Sequence, residues 1–149
     1  MSSTPTPHPW RRFRDRWPHV HLHMVDWLPA SILAATDGHT KVVMRDTLLQ
    51  RERRVAIAHE MEHLEHRDTC GQTSQVEDAI NAKIARDLIP LPHLIDAARW
   101  DHRIAVIAEE LWVTEALVIT RIETLDAHES ETLTRELDLH HICLLYTSP

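Results

Sequence analysis

Residues 53–68, RRVAIAHEMEHLEHRD, contain His59-Glu60-Met61-Glu62-His63, and the reading of the whole chain turns on them. Val55, Ala56, Ile57 and Ala58 lead in without a helix breaker. Ile57, Met61 and Leu64 form an apolar stripe, which predicts an amphipathic helix over about 50–67 that ends near Cys70-Gly71, with Gly71 as the stop. On such a helix, residues four apart share a face, about 6 Å apart along the axis. His59 and His63 are therefore placed to grip one metal ion.

Zinc accepts imidazole nitrogen readily, and in catalytic sites it commonly takes three protein ligands and one water. One protein ligand is then left to find. Glu60, next to the first histidine, has a carboxylate suited to taking a proton from a water that attacks a carbonyl. The chemistry expected of this pattern is peptide hydrolysis, with Glu60 as the catalytic base. His66 shares the face of the two histidines but lies seven residues beyond His59, about 10.5 Å along the axis. That is too far for the same tetrahedron, so His66 is expected to support a ligand, face substrate or lie on the surface. Cys70, seven residues past His63, is a further conceivable ligand.

The 149 residues, 43% hydrophobic and 26% charged, describe one globular domain with a modest core. Two glycines argue against a loop-rich all-β fold. No run approaches the roughly 20 apolar residues of a membrane span, and MSSTPTPHPW lacks the apolar core of a signal peptide. The expectation is a cytoplasmic protein whose two cysteines, Cys70 and Cys143, are free thiols. The net charge of −7 is uneven: residues 1–59 hold nine Lys/Arg and five Asp/Glu, residues 60–149 seven and eighteen. A basic front and an acidic back could steer a charged partner, although a solvated surface explains most of these charges.

Residues 1–9 read as a loose tail. WRRFRDRW, 10–17, places Trp10, Phe13, Arg14 and Trp17 at helical spacing and is stopped by Pro18. Its aromatics are expected to cover the core; a nucleic-acid role for Arg11, Arg12, Arg14 and Arg16 is the weaker reading. Over 19–24, Val20, Leu22 and Met24 alternate with His19, His21 and His23, the pattern of a half-buried strand with histidines in solvent rather than on a second metal. Residues 32–36 and 40–44 are then two β-prone runs joined across Asp37-Gly38, which suits a hairpin. A small antiparallel sheet follows from this, with an edge that could take an extended peptide by main-chain hydrogen bonds. Asp46 or Thr47 could cap a short turn, after which the metal helix follows.

A second helix, over 74–89, has Ser74 as its expected N-cap and is closed by Pro90 and Pro92. Glu77 shares its face with Asn81, Ile84, Ala85 and Leu88, so a carboxylate stands among apolar groups, where it needs a partner. A zinc ion held by His59 and His63 would be that partner. The alternative is a carboxylate in an exposed first turn that simply favours the helix dipole.

Here the chain resembles the ImmA/IrrE metallopeptidases, zincins that pair a HExxH helix with a helix reading approximately E-x-E-A-N-x-F-A-A-x-L-L-M-P. Glu77, Asn81, Ala85, Leu88 and Pro90 fall in register with that pattern, while Ala79, Ile80 and Lys83 stand where the family has Glu, Ala and Phe. The resemblance spans roughly residues 10–125. It implies His59, His63 and Glu77 as Zn2+ ligands, Glu60 as catalytic base, and Asn81 as a residue that orients a ligand. It also implies a regulatory protein as substrate, such as a repressor with a helix-turn-helix.

Residues 93–100 and 101–112 read as short helices. A turn at Trp112-Val113, an N-cap at Thr114 and a helix to about 127 complete a helix-turn-helix outline. Its second helix carries Arg121 against Glu115, Glu123 and Asp126, which disfavours phosphate and leaves packing or partner docking. A last helix is expected over 130–139, and HICLLYTSP fits neither pattern nor family. Histidines such as His21, His23 and His102 are candidates for stabilising an oxyanion, while the only tyrosine, Tyr146, lies in the doubtful tail.

The fold expected is α+β and zincin-like, a small antiparallel sheet packed on a mainly helical core: a tail at 1–9, the metallopeptidase core at 10–100, helix-turn-helix-like helices at 101–139 and a doubtful tail at 140–149. The function expected is zinc-dependent endopeptidase. Its rivals are a non-proteolytic anti-repressor with structural zinc and a DNA-binding regulator.

Overall fold

A computed structural model of the chain describes residues 5–69 and 72–137. The described residues form an α+β protein with seven helices and a three-stranded mixed sheet. Two compact units share them, one His8–Ile84, the other residues 5–7 together with those from Ala85 onward. No helix among the described residues is long and apolar enough to cross a membrane.

The first unit opens with α1 (Pro9–Arg16), whose Phe13 is buried, as is Trp17 just beyond its end. Trp10 meets Phe13 edge-on with ring centres 6.4 Å apart. Arg16 fastens α1 to α2 (Gln50–His66) through both oxygens of Glu65, at 2.6 and 3.0 Å. β1 (His21–Val25), β2 (Ala34–Thr36) and β3 (Lys41–Arg45) lie in the order β1-β3-β2. β2 and β3 make the expected antiparallel hairpin, but β1 runs parallel to β3.

The expectation of an all-antiparallel sheet fails because of Arg45. Its guanidinium donates to the carbonyls of Leu28, Pro29 and Ile32, drawing residues 26–33 over the end of β3. Backbone N–H groups of Arg45 and Asp46 add bonds to Leu33 and Val25 at 2.8 and 2.9 Å. The chain is thus carried past β3 before it turns, leaving β1 on the free edge of β3 and pointing the same way. An edge strand has less to bury, which explains why Val20 is buried but Met24, expected inside, is exposed. The central strand buries Val42 and Met44 completely.

In the hairpin loop Gly38 takes φ +80°, and Asp37 Oδ1 accepts the N–H groups of His39, Thr40 and Lys41 at 2.9, 2.9 and 3.0 Å. Those donors hold the Asp37 carboxyl well below the usual range. α2 buries the expected stripe of Ile57, Met61 and Leu64. Its first turn is closed by Glu52, which accepts the Leu49 N–H at 2.9 Å.

Its end differs from expectation too. Arg67, at φ 55°, donates its N–H to Leu64 O at 3.2 Å, and Asp68 donates to His63 O at 3.0 Å. This is the paired closure of a Schellman stop, made by arginine in the left-handed region rather than by Gly71, which lies outside the described residues. α3 (Ser74–Leu88) starts as expected, with Thr73 rather than Ser74 as its cap: Thr73 Oγ1 accepts the Val76 N–H at 3.3 Å.

The second unit contains α4 (Leu91–Trp100), α5 (Ile104–Leu111), α6 (Glu115–Glu123) and α7 (Ala127–Leu137). α4 packs on α5 and α7, and α5 on α6. The expected turn is present: Trp112 at φ 59° closes α5, Val113 is buried behind it, and Thr114 Oγ1 accepts the Leu117 N–H at 3.2 Å. α7 begins three residues before the expected start, because Asp126 and Glu129 cap it reciprocally at 2.8 and 3.2 Å. Glu129 also takes Arg121 at 2.7 Å and Arg86 at 2.8 Å. Arg121 is 2% exposed and donates its Nε to Ile89 O at 2.8 Å. The sole base of α6 is therefore an internal brace.

Replacing Arg67 by glycine removes the left-handed penalty and is expected to raise the unfolding free energy by about 1 kcal/mol in denaturant titration. A value equal to or below that of the parent chain would contradict a strained stop at this position.

Arg121's hydrogen bond, aided by the Asp126 N–H and Arg86, pulls the Glu129 carboxyl from 4.5 down to about 2, against an opposing push from burial. A depressed acid stabilises the fold above its unfolded pKa and loses that contribution as pH falls through the folded one. Chemical denaturation of Glu129→Gln should therefore show lower stability at neutral pH, and a smaller drop between about pH 5 and 2 than the parent chain shows.

Candidate metal centre

The helical register of α2 brings His59 and His63 together with Nε2 atoms 3.3 Å apart and ring planes inclined at 59°. Each ring is fixed from behind. His59 Nδ1 lies 3.0 Å from Asn81 Oδ1 on α3, and His63 Nδ1 lies 2.5 Å from Asp68 Oδ1 just past the stop of α2. Both partners can accept, an amide oxygen and a carboxylate, which favours the tautomer with hydrogen on Nδ1 and leaves the Nε2 atoms facing inward.

Glu77, from the first turn of α3, completes the group. Its Oε2 is 2.7 Å from His59 Nε2, and its Oε1 is 3.3 Å from His63 Nε2. Oε1 is buried and has no hydrogen-bond partner. Three groups that carry electron pairs thus face one another, with the two Nε2 atoms 3.3 Å apart. A cation at the shared centre satisfies all three, so His59, His63 and Glu77 could hold a metal ion.

Burial gives the centre a direction. The His63 side chain is fully enclosed, while those of His59 and Glu77 are 21% and 26% exposed, so solvent reaches the group from their side. Glu60, beside His59 in the chain, is itself buried at 3% exposure.

Lys83 on α3 reaches the buried Glu62 of α2 with its Nζ at 2.7 Å. Its ammonium neutralises that carboxylate. Lys83, Asn81 and Glu77 give three polar ties from α3 to α2.

His66 does not support the centre. Its side chain is 61% exposed and its Nε2 stands 3.9 Å from Glu62, because the helix has carried it a further turn outward. The role expected of it is filled by Asp68, which spacing alone does not single out. The signal that could have found it is an acid five residues after the second histidine, immediately behind a helix stop; arginine at that stop hides it. His19, His21 and His23 are exposed, and His102 is partly exposed between α4 and α5. Cys70, Cys143 and Tyr146 lie outside the described residues.

Gly38 ties the hairpin to the same place. A Cβ at this residue would come within 2.4 Å of Asp68 O, a backbone atom, and φ +80° already disfavours a side chain.

Comparison with protein-family models, with curated proteins and with solved structures returns no match for this chain.

Asn81→Ala and Asp68→Ala are each expected to weaken metal binding about 10- to 100-fold in competition titration against a chromophoric chelator, with helix content unchanged. Gly38→Ala should weaken it in the same assay without touching a ligand, by displacing Asp68. Unaltered affinity in all three variants would mean that neither Asn81 nor Asp68 orients a ligand.

Proposed function

We propose that this chain is a zinc-dependent endopeptidase with a zincin-like centre of the ImmA/IrrE kind, acting on a regulatory protein such as a helix-turn-helix repressor. The observation that carries the reading is the convergence of His59, His63 and Glu77 on one point, with the ring tautomers set by Asn81 and Asp68 and Oε1 of Glu77 left without a donor. Zinc suits this donor set by its chemistry, since it would be held by two imidazole nitrogens and a carboxylate with a position left for water.

When bound, the ion supplies Lewis acidity to the scissile carbonyl and to the attacking water. The chain's own residues do the rest. His59 and His63 hold the ion through nitrogens whose direction their Nδ1 partners fix, and Glu77 adds the negative charge. Glu60 takes a proton from the attacking water and returns it to the amine as the peptide bond breaks, a transfer its single carboxylate can perform in both directions. Partial exposure of His59 and Glu77 supports an open ligand position, which a purely structural site would close. The anti-repressor with structural zinc is the second reading, and this exposure and the carboxylate of Glu60 favour the enzyme over it. A DNA-binding role has less support, since Arg121 on α6 is buried against Glu129.

The decisive experiment incubates the purified zinc-loaded protein with the repressor encoded nearest to it and follows fragments by mass spectrometry. Cleavage that is abolished by chelator and by Glu60→Gln, with zinc still bound in the variant, is the expected result. Cleavage that survives Glu60→Gln would refute the mechanism, and repressor binding without cleavage would give the second reading.

A further inference from the structure

A cavity of about 310 Å³ lies in the first unit, bounded by the end of α1, the hairpin loop and the stop of α2. Its wall is chemically one-sided: His19, His39 and Arg67 supply nitrogen donors, Trp17 and Leu64 supply apolar surface, and no carboxylate lines it. The acids nearest in sequence are engaged elsewhere. Asp37 is occupied by three backbone N–H groups and the Thr40 hydroxyl, Glu65 by Arg16, and Asp68 by His63. Among the described residues, the side chains of His19, His39 and Arg67 have no hydrogen-bond or ion-pair partner.

Arg67 adds an independent observation. It stands at φ 55°, where glycine is favoured, and its side chain is exposed, so packing does not repay the backbone strain. An arginine kept at a position that costs stability is explained if its guanidinium has something to hold. Guanidinium flanked by two imidazoles suits an oxyanion, bound by paired N–H groups. The volume is at the low end of small-molecule sites, and the apolar wall leaves room for one ring-sized body.

We propose that this cavity binds a small organic anion, a carboxylate or phosphate monoester carrying a flat or apolar body, with Arg67 as its principal anchor and His19 and His39 as flanking donors. The site is separate from the metal ligands and does not depend on the peptidase reading.

The test is calorimetric titration of the full chain with phenyl phosphate, with benzoate, and with phenol as the neutral control, using the parent chain, Arg67→Gly and His39→Ala. Saturable binding of either anion at millimolar concentration or below, with phenol weaker, is expected, and the tighter anion identifies the headgroup. Arg67→Gly should lose at least about tenfold in affinity, the effect of one charge-assisted hydrogen bond, while its thermal midpoint rises. Retained stability removes misfolding as an explanation of that loss. His39→Ala should weaken binding to a lesser degree. Absence of saturable binding by both anions, phenol binding as tightly as they do, or anion affinity unaltered in Arg67→Gly would each overturn the proposal.

Discussion

Two imidazoles and a carboxylate whose facing atoms all lie within 4.8 Å of one another form a group that a positive charge among them would stabilise. This constraint orders much of the first unit. It requires α2 to keep its register through His59 and His63, and α3 to deliver Glu77 from its first turn. It also requires each ring to be held from behind, which Asn81 and Asp68 do at 3.0 and 2.5 Å. The apolar burial beneath, of Ile57, Met61, Leu64, Ile80 and Ile84, makes these polar positions reproducible. A carboxylate among such neighbours is costly unless something positive meets it, and Glu62 follows the same rule with Lys83.

In the second unit a single carboxylate also holds several elements. Glu129 closes the first turn of α7 and receives Arg121 from α6 and Arg86 from the end of α3. One acid thus joins three helices, and Arg121, which as a sequence reads as a surface base, is the enclosed half of that joint. Enclosure makes the outline of a helix-turn-helix here a matter of packing: the exposed face of α6 presents Glu115, Ala116, Ile119 and Glu123.

Much of this was legible in the sequence, for identifiable reasons. Helices with strong apolar spacing, such as α2 and α3, announce themselves because burial of one face repeats every three or four residues. The grouping of His59, His63 and Glu77 was legible because two of its members share a helix and the third was a polar residue out of place on an apolar face. The direction of β1 was not legible, since it follows from Arg45 reaching three carbonyls across 13 to 17 residues. Nor was the stop of α2, because arginine occupies a backbone conformation that normally advertises itself as glycine. Missing that stop meant missing Asp68, whose only recommendation is its position in space. Asp126-x-x-Glu129, by contrast, is a capping signature that was open to reading and explains the early start of α7.

The approach of Gly38 to the carbonyl of Asp68 has a bearing on how this chain tolerates change. Hairpin tips are ordinarily where proteins accept inserted residues, because little rests on them. Here the tip leans on the main chain that carries the acid behind His63. Lengthening residues 37–40, an alteration some twenty positions ahead of the nearest ligand, would disturb the foundation of the metal group before it disturbed the sheet. In this fold a loop well removed in sequence from that group is among the segments least free to drift.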